Sequence, residues 1–220
     1  MNDQEVLTAI KKAREASPKR KFSQTIDLIF NLKQLDLKKT DQQVNNFVAL
    51  PHTRGKKLKI CALVDKELFN SAKDCCDKVV MKDEFPKFDK TSLRKLANDY
   101  DFFIAQSNVM PDIARYFGKV LGTKGKMPNP KADCVVPPTA NVKALCETLQ
   151  RTVRVQTKNE LAIKCPVGSE SMKDDEVKDN VMSVYNSLLR LLPKERHNIK
   201  GALLKLTMGP AVVIGAKDEA

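Results

Sequence analysis

Apolar residues near the start of the chain, Val6, Leu7, Ile10 and Ala13, recur at helical spacing and stop at Ser17-Pro18, which predicts a helix over residues 6–16. Between 22 and 32 the period falls to two. Ile26, Leu28, Phe30 and Leu32 alternate with Thr25, Asp27, Ile29 and Asn31, the pattern of a strand with one buried face, and Ser23, Thr25 and Asp27 lie on its other face. A second strand is predicted over 46–50. It ends in the turn-rich Pro51-His52-Thr53-Arg54-Gly55, followed by Lys56, Lys57 and Lys59.

The pattern then changes to short, continuous apolar runs between helical stretches. Strands are expected over 60–64, 79–81 and 101–105, and helices over 67–77, 91–99, 109–117 and 139–150, the last with Thr139 as its N-cap. Such alternation predicts a parallel, doubly wound sheet. After residue 150 exposed strands return over 152–157 and 161–167. A long amphipathic helix follows, with Val177, Val181, Val184, Leu188 and Leu191 on one side and Pro193 closing it, and strands over 202–208 and 210–214 end the chain. The reading is α/β in two domains: an outer one from 1–60 plus 150–220, and an inserted one, 61–149, joined by two crossings.

Charge sharpens this division. The chain has 220 residues with 39 Lys+Arg against 27 Asp+Glu, a formal charge of +12. The two outer pieces carry +10 of it and the inserted piece only +2, so a polyanion should engage the outer domain first. Hydrophobic residues at 42% and charged residues at 30% fit a folded chain able to bury a core. No apolar run approaches the length of a membrane span, and the N-terminal segment has no signal-peptide core, so a non-membrane, intracellular protein is expected. Six cysteines and two histidines include no CxxC, which excludes a zinc framework on spacing; reduced, structural thiols are expected, with Cys75 and Cys76 in helix packing.

Three stretches were candidates for chemistry. The Gly-rich segment 118–130 has Val120 where a P-loop needs its first glycine and Met127 where it needs Ser or Thr, and no GxGxxG follows the strand at Ile60. What remains is a stiff loop with Lys119, Lys124 and Lys126, open to RNA contact or to no ligand. His52 and His197 have no nucleophile or carboxylate at a telling spacing, and Asp174-Asp175-Glu176 suits a helix N-terminus, so no catalytic constellation is expected. The third is 206–212, LTMGPAV, where Thr207 shares the outward face of Lys205 and Gly209-Pro210 turns the chain. A small hydroxyl, a flexible thioether and a glycine permit close approach to a ribose face.

Taken together, KFSQTIDLIFNLK (21–33), LPHTRGK (50–56), DFFIAQ (101–106), LGTKGKMPNP (121–130) and KLTMGPAV (205–212) resemble the ribosomal protein L-one family, the stalk protein of the large subunit, in its archaeal form. The resemblance spans nearly the whole chain. It implies an outer α/β domain, an antiparallel sheet with helices built from both termini, and an inserted Rossmann-like domain. It also implies a cytoplasmic, ribosomal, non-enzymatic protein, monomeric when free and without cofactor. The implied partners are large-subunit ribosomal RNA at a mobile stalk, outgoing tRNA, and the protein's own messenger RNA, whose translation archaeal members repress. The family's RNA contacts fall on Phe22, Thr25, Thr207, Met208 and Gly209; Lys56, Lys57 and Lys205 are expected to add phosphate contacts, and Lys124 and Lys126 a secondary one. Thr123 and Lys124 stand where the family often has proline and arginine, and the acidic tail argues against RNA binding there. The rival readings are a nucleotide-binding enzyme using the inserted domain, against which the missing glycine fingerprint counts, and a DNA-binding protein, on which +12 alone is neutral.

Overall fold

The computed structural model describes residues 1–39 and 42–215; the acidic end of the tail, 216–220, lies outside the described residues. The chain forms two compact units, Met1–Lys56 with Arg151–Ala220, and Lys57–Gln150. Lys57 and Lys59 belong to the inner unit, however, which lowers the outer unit's share of the charge from +10 to +8.

The outer unit is built on a four-stranded antiparallel sheet in the order β10-β9-β1-β8, with β1 at Thr25–Leu32, β8 at Ala162–Ser169, β9 at Ile199–Leu206 and β10 at Ala211–Val213. Strict alternation in β1 buries Ile26, Leu28, Phe30 and Leu32 while Thr25, Asp27, Ile29 and Asn31 stay half-exposed. The apolar face receives α1, Asp3–Glu15, through Val6, Ala9, Ile10 and Ala13, and α6, Asp174–Leu191, through Val177, Val181, Val184, Tyr185 and Leu188. A two-stranded ladder of β2, Asn45–Ala49, and β7, Thr152–Gln156, adds Val48, Val153 and Val155 to the same core.

The inner unit is a parallel sheet in the order β4-β3-β5-β6, formed by β3 at Ile60–Val64, β4 at Lys78–Met81, β5 at Phe102–Gln106 and β6 at Val135–Val136. All five residues of β3 are buried, as a strand flanked on both faces requires. Its helices are α2, Lys66–Lys73; α3, Lys90–Asp99; α4, Met110–Thr123; and α5, Val142–Arg151. Among the described residues no helix is long and apolar enough to cross a membrane.

Three expectations fail in the inner unit. Helix α4 continues to Thr123, so Gly118 and Gly122, read as loop, are helical; a Cβ at either would meet nothing within 4 Å. The true stop is Gly125 at φ +65°, with Gly125 N donating to Gly122 O at 3.0 Å and Lys126 N to Leu121 O at 2.9 Å, the paired bonds of a Schellman cap. Thr139 does not cap α5. Asn141 does, its Oδ1 accepting from Lys143 N at 3.1 Å and Ala144 N at 3.3 Å. Finally, α2 ends at Lys73, which leaves Cys75 and Cys76 in the turn beyond it, outside any helix.

Candidate nucleic-acid interface

One end of the outer sheet gathers the first residue of β1, the last of β8, and the turn from β9 to β10. Thr207 closes the β1–β9 ladder there: its N donates to Thr25 O at 3.0 Å, and its Oγ1 donates to the same carbonyl at 3.2 Å and accepts from Thr25 N at 3.1 Å. A hydroxyl has one donor and two acceptor positions, so a single lone pair of Thr207 remains for a ligand.

Gln24 organises the same turn and was missed in the sequence. It is fully buried, with Oε1 accepting from Met208 N at 3.1 Å and Nε2 donating to Pro18 O at 3.1 Å and Ser17 Oγ at 3.3 Å. The signal was legible. Gln24 is in phase with Ile26, Leu28 and Phe30, and a polar side chain on an apolar face must find hydrogen-bond partners when buried.

Gly209 is also tightly placed against the protein itself. Its φ is not positive, so no strain attaches to the turn before Pro210; instead a Cβ there would meet Ser17 Oγ at 3.0 Å and Ser17 Cβ at 3.1 Å. The constraint comes from the protein side of the turn.

Lys56 reaches this region through the 51–55 turn. His52 N donates to Asn180 Oδ1 at 3.0 Å, and the buried Asn180 donates from Nδ2 to Val167 O at 2.8 Å, fixing the turn to α6 and β8. His52 Nε2 also lies 3.4 Å from Asp179 Oδ2, a pair whose sequence spacing gave no hint of it. Gly55, at φ +76°, closes the approach: a Cβ would lie 2.5 Å from Ser169 Cβ, at the end of β8 and opposite Thr25. The 170–172 loop beside it is clamped by Arg14, whose Nη1 and Nη2 donate to Glu170 O at 2.7 Å and Met172 O at 2.6 Å, with Nε 3.0 Å from Asp174.

On this rigid frame two large apolar side chains stand out in solvent, Phe22 at 52% and Met208 at 55% exposure. Lys56 is exposed, and Lys205 is half-exposed with Asp27 as its cross-strand neighbour. Burial raises the Asp27 carboxyl above its ordinary pKa, with the Lys205 charge opposing the shift. The surface therefore offers a stacking ring, a thioether, hydroxyl and backbone groups, and cations, the chemistry of RNA recognition.

Not every expected residue joins it. Lys57 lies in the inner unit, 4.0 Å from Asp77. Lys126 Nζ donates to Ala97 O at 3.0 Å and Tyr100 O at 2.6 Å, capping the C-terminal end of α3; burial lowers its pKa. Lys124 Nζ hydrogen-bonds Asn98 at the surface.

The inserted domain's own crevice opposes the nucleotide reading. In this sheet order the crossover direction changes between β3 and β5, the place where open α/β sheets take ligands. Here the buried Gln106 fills it, Oε1 accepting from Asp65 N and Nε2 donating to Glu67 Oε2, both at 2.9 Å. A phosphate would meet the carboxylates of Asp65 and Glu67.

The sequence profile of the ribosomal protein L1p/L10e family matches residues 10–210. The chain belongs to that family. Its relatives include three archaeal proteins named large ribosomal subunit protein uL1. That of Methanocaldococcus jannaschii is 39% identical over 216 residues, covering 97% of this chain and 96% of its own. Those of Nanoarchaeum equitans and Methanobrevibacter smithii are each 42% identical, covering 92% and 95% of this chain and 96% and 98% of their own. The L1p/L10e family is one of ribosomal proteins, not of enzymes, and the α/β architecture described above is its fold.

Proposed function

We propose that this protein is a structural component of the cytoplasmic large ribosomal subunit, holding ribosomal RNA on the sheet end formed by Phe22, Thr25, Lys56, Lys205, Thr207, Met208 and Gly209. One observation carries the placement. Phe22 and Met208 are more than half exposed beside a turn that Gln24 and Thr207 fix by hydrogen bonds, so an apolar contact surface is held ready in water. Folded RNA fits it because unstacked bases and ribose faces are apolar while the flanking phosphates meet Lys56 and Lys205.

In the finer reading, the RNA is the base of the large subunit's mobile stalk near the site where tRNA leaves, and the protein contacts that tRNA. The same sheet end represses the protein's own message through an RNA copy of the stalk element, since shape recognition does not depend on which molecule carries the shape. Lys124 is a secondary phosphate contact in this scheme; Lys126 and Lys57 are left to the inner unit.

Ultraviolet crosslinking of intact ribosomes, followed by mapping of RNA-modified peptides, tests the assignment. Adducts are expected on the peptides holding Phe22 and Met208, with stalk ribosomal RNA attached. Adducts confined to residues 57–150 would contradict it.

A further inference from the structure

The inner unit holds a pair of thiols for which RNA binding has no use. Cys76, in the turn between α2 and β4, and Cys146, in the middle of α5, lie 70 residues apart in sequence with their sulfurs 3.6 Å apart and no disulfide between them. Cys75, next to the pair, is half-exposed, and so is Cys76, while Cys146 is nearly covered.

We propose that Cys76 and Cys146 are an oxidation site, converted by peroxides into a reversible disulfide that staples the base of the inner unit. The position gives the bond its effect. Asp77, the residue after Cys76, grips the start of β3: its Oδ2 accepts from Ile60 N at 2.9 Å and its N donates to Ile60 O at 3.0 Å. Gln150, one helical turn beyond Cys146, grips the residue where the chain has just entered the unit: Oε1 accepts from Leu58 N and Nε2 donates to Leu58 O, both at 2.8 Å. A bond from Cys76 to Cys146 ties these two clamps on residues 58–60 together.

Chemically, the two sulfurs have unequal roles. The hydrogen bond between them holds Cys146 below the ordinary thiol pKa and pushes Cys76 up, so Cys146 is the first of the two to give up its proton. The Cys146 thiolate attacks one peroxide oxygen, breaking the O–O bond; hydroxide leaves and takes up a proton to become water, and Cys146 becomes a sulfenic acid. The Cys76 sulfur then attacks the Cys146 sulfur, the S–O bond breaks, the Cys76 proton goes with the leaving hydroxide, and a second water forms. Two thiols lose two electrons and the peroxide gains them. By contrast, burial raises Cys61, Cys134 and Cys165 to about 12, which keeps them protonated and inert.

The test uses the full, folded chain, reduced and then exposed to a modest excess of hydrogen peroxide, blocked with maleimide and mapped without reduction. A Cys76–Cys146 cross-link, reversed by dithiothreitol and retained in Cys75→Ser, is expected. In Cys76→Ser, dimedone should trap the sulfenic acid on Cys146. The oxidised wild type should show slower amide hydrogen exchange at 58–60 and a melting temperature higher by several degrees. The proposal is overturned if the folded protein gives no cross-link, if the bond joins any other cysteine, if Cys146 stays unmodified in Cys76→Ser, or if exchange at 58–60 is unchanged by oxidation.

Discussion

Met208 and Phe22 can be changed with little effect on the fold, because more than half of each lies in water. Replacing either with alanine should therefore weaken the specific RNA complex by about 1–2 kcal/mol, the range for losing a packed apolar contact or a stacked base, while the melting temperature stays put. Calorimetric titration beside a thermal melt checks both halves. Thr207→Ala behaves differently, since its hydroxyl also closes the β1–β9 ladder: both RNA affinity and stability should fall. Asp27 offers a pH test. Its folded-state pKa is raised, so the folded chain binds a proton more tightly than the unfolded one. That contribution is complete below the ordinary value of 3.8 and is lost as pH rises through the raised value. Asp27→Asn should then melt at a higher temperature than the native chain at pH 7, and the gain should shrink on acidification below the ordinary carboxylate range. A lower melting temperature at pH 7 would show that the Lys205 attraction outweighs the desolvation.

Elements differ in how plainly the sequence announced them. Alternation in β1 and the apolar stripe of α6 were legible because a single period decides which side is buried, and both have a clean one. Helix α4 was cut short because Gly118 and Gly122 read as breakers. On the exposed side of a helix a glycine costs only about 1 kcal/mol, which the packing of Ile113, Phe117, Val120 and Leu121 outweighs. The stretch 206–212 stood out by strand phase and composition, whereas Phe22 was singled out through the resemblance alone, since exposure of Phe22 and Met208 follows from tertiary packing. The contact of Gly209 with Ser17 was not legible, because it joins positions far apart in the chain. Lys126 shows the same limit: composition leaves it open to RNA contact or to no ligand, and its capping of α3 depends on tertiary packing. Lys126→Met should lower the stability of the inner unit by about 1–2 kcal/mol, as for loss of charge-assisted bonds at a helix C-terminus, and leave RNA affinity within error. Denaturant melts of the full chain, read with an RNA titration, separate the two effects.

At the scale of the molecule, the proposal assigns RNA reading to the outer unit, which carries charge +8, and leaves the inner unit to its own hydrogen bonds and the proposed thiol pair. Cations on the reading surface act on every RNA alike, whereas Phe22 and Met208 act only when a folded RNA matches the sheet end. Lys56→Ala should thus reduce the slope of log affinity against log salt by about one unit for any RNA. The decisive measurement is filter binding of the full chain and its Phe22→Ala/Met208→Ala variant to a large-subunit stalk RNA fragment and to an unrelated hairpin, across a salt series. The account requires the double variant to lose affinity for the stalk fragment, keep its salt slope, and bind the hairpin as before. Equal losses on both RNAs, or none on either, would contradict it.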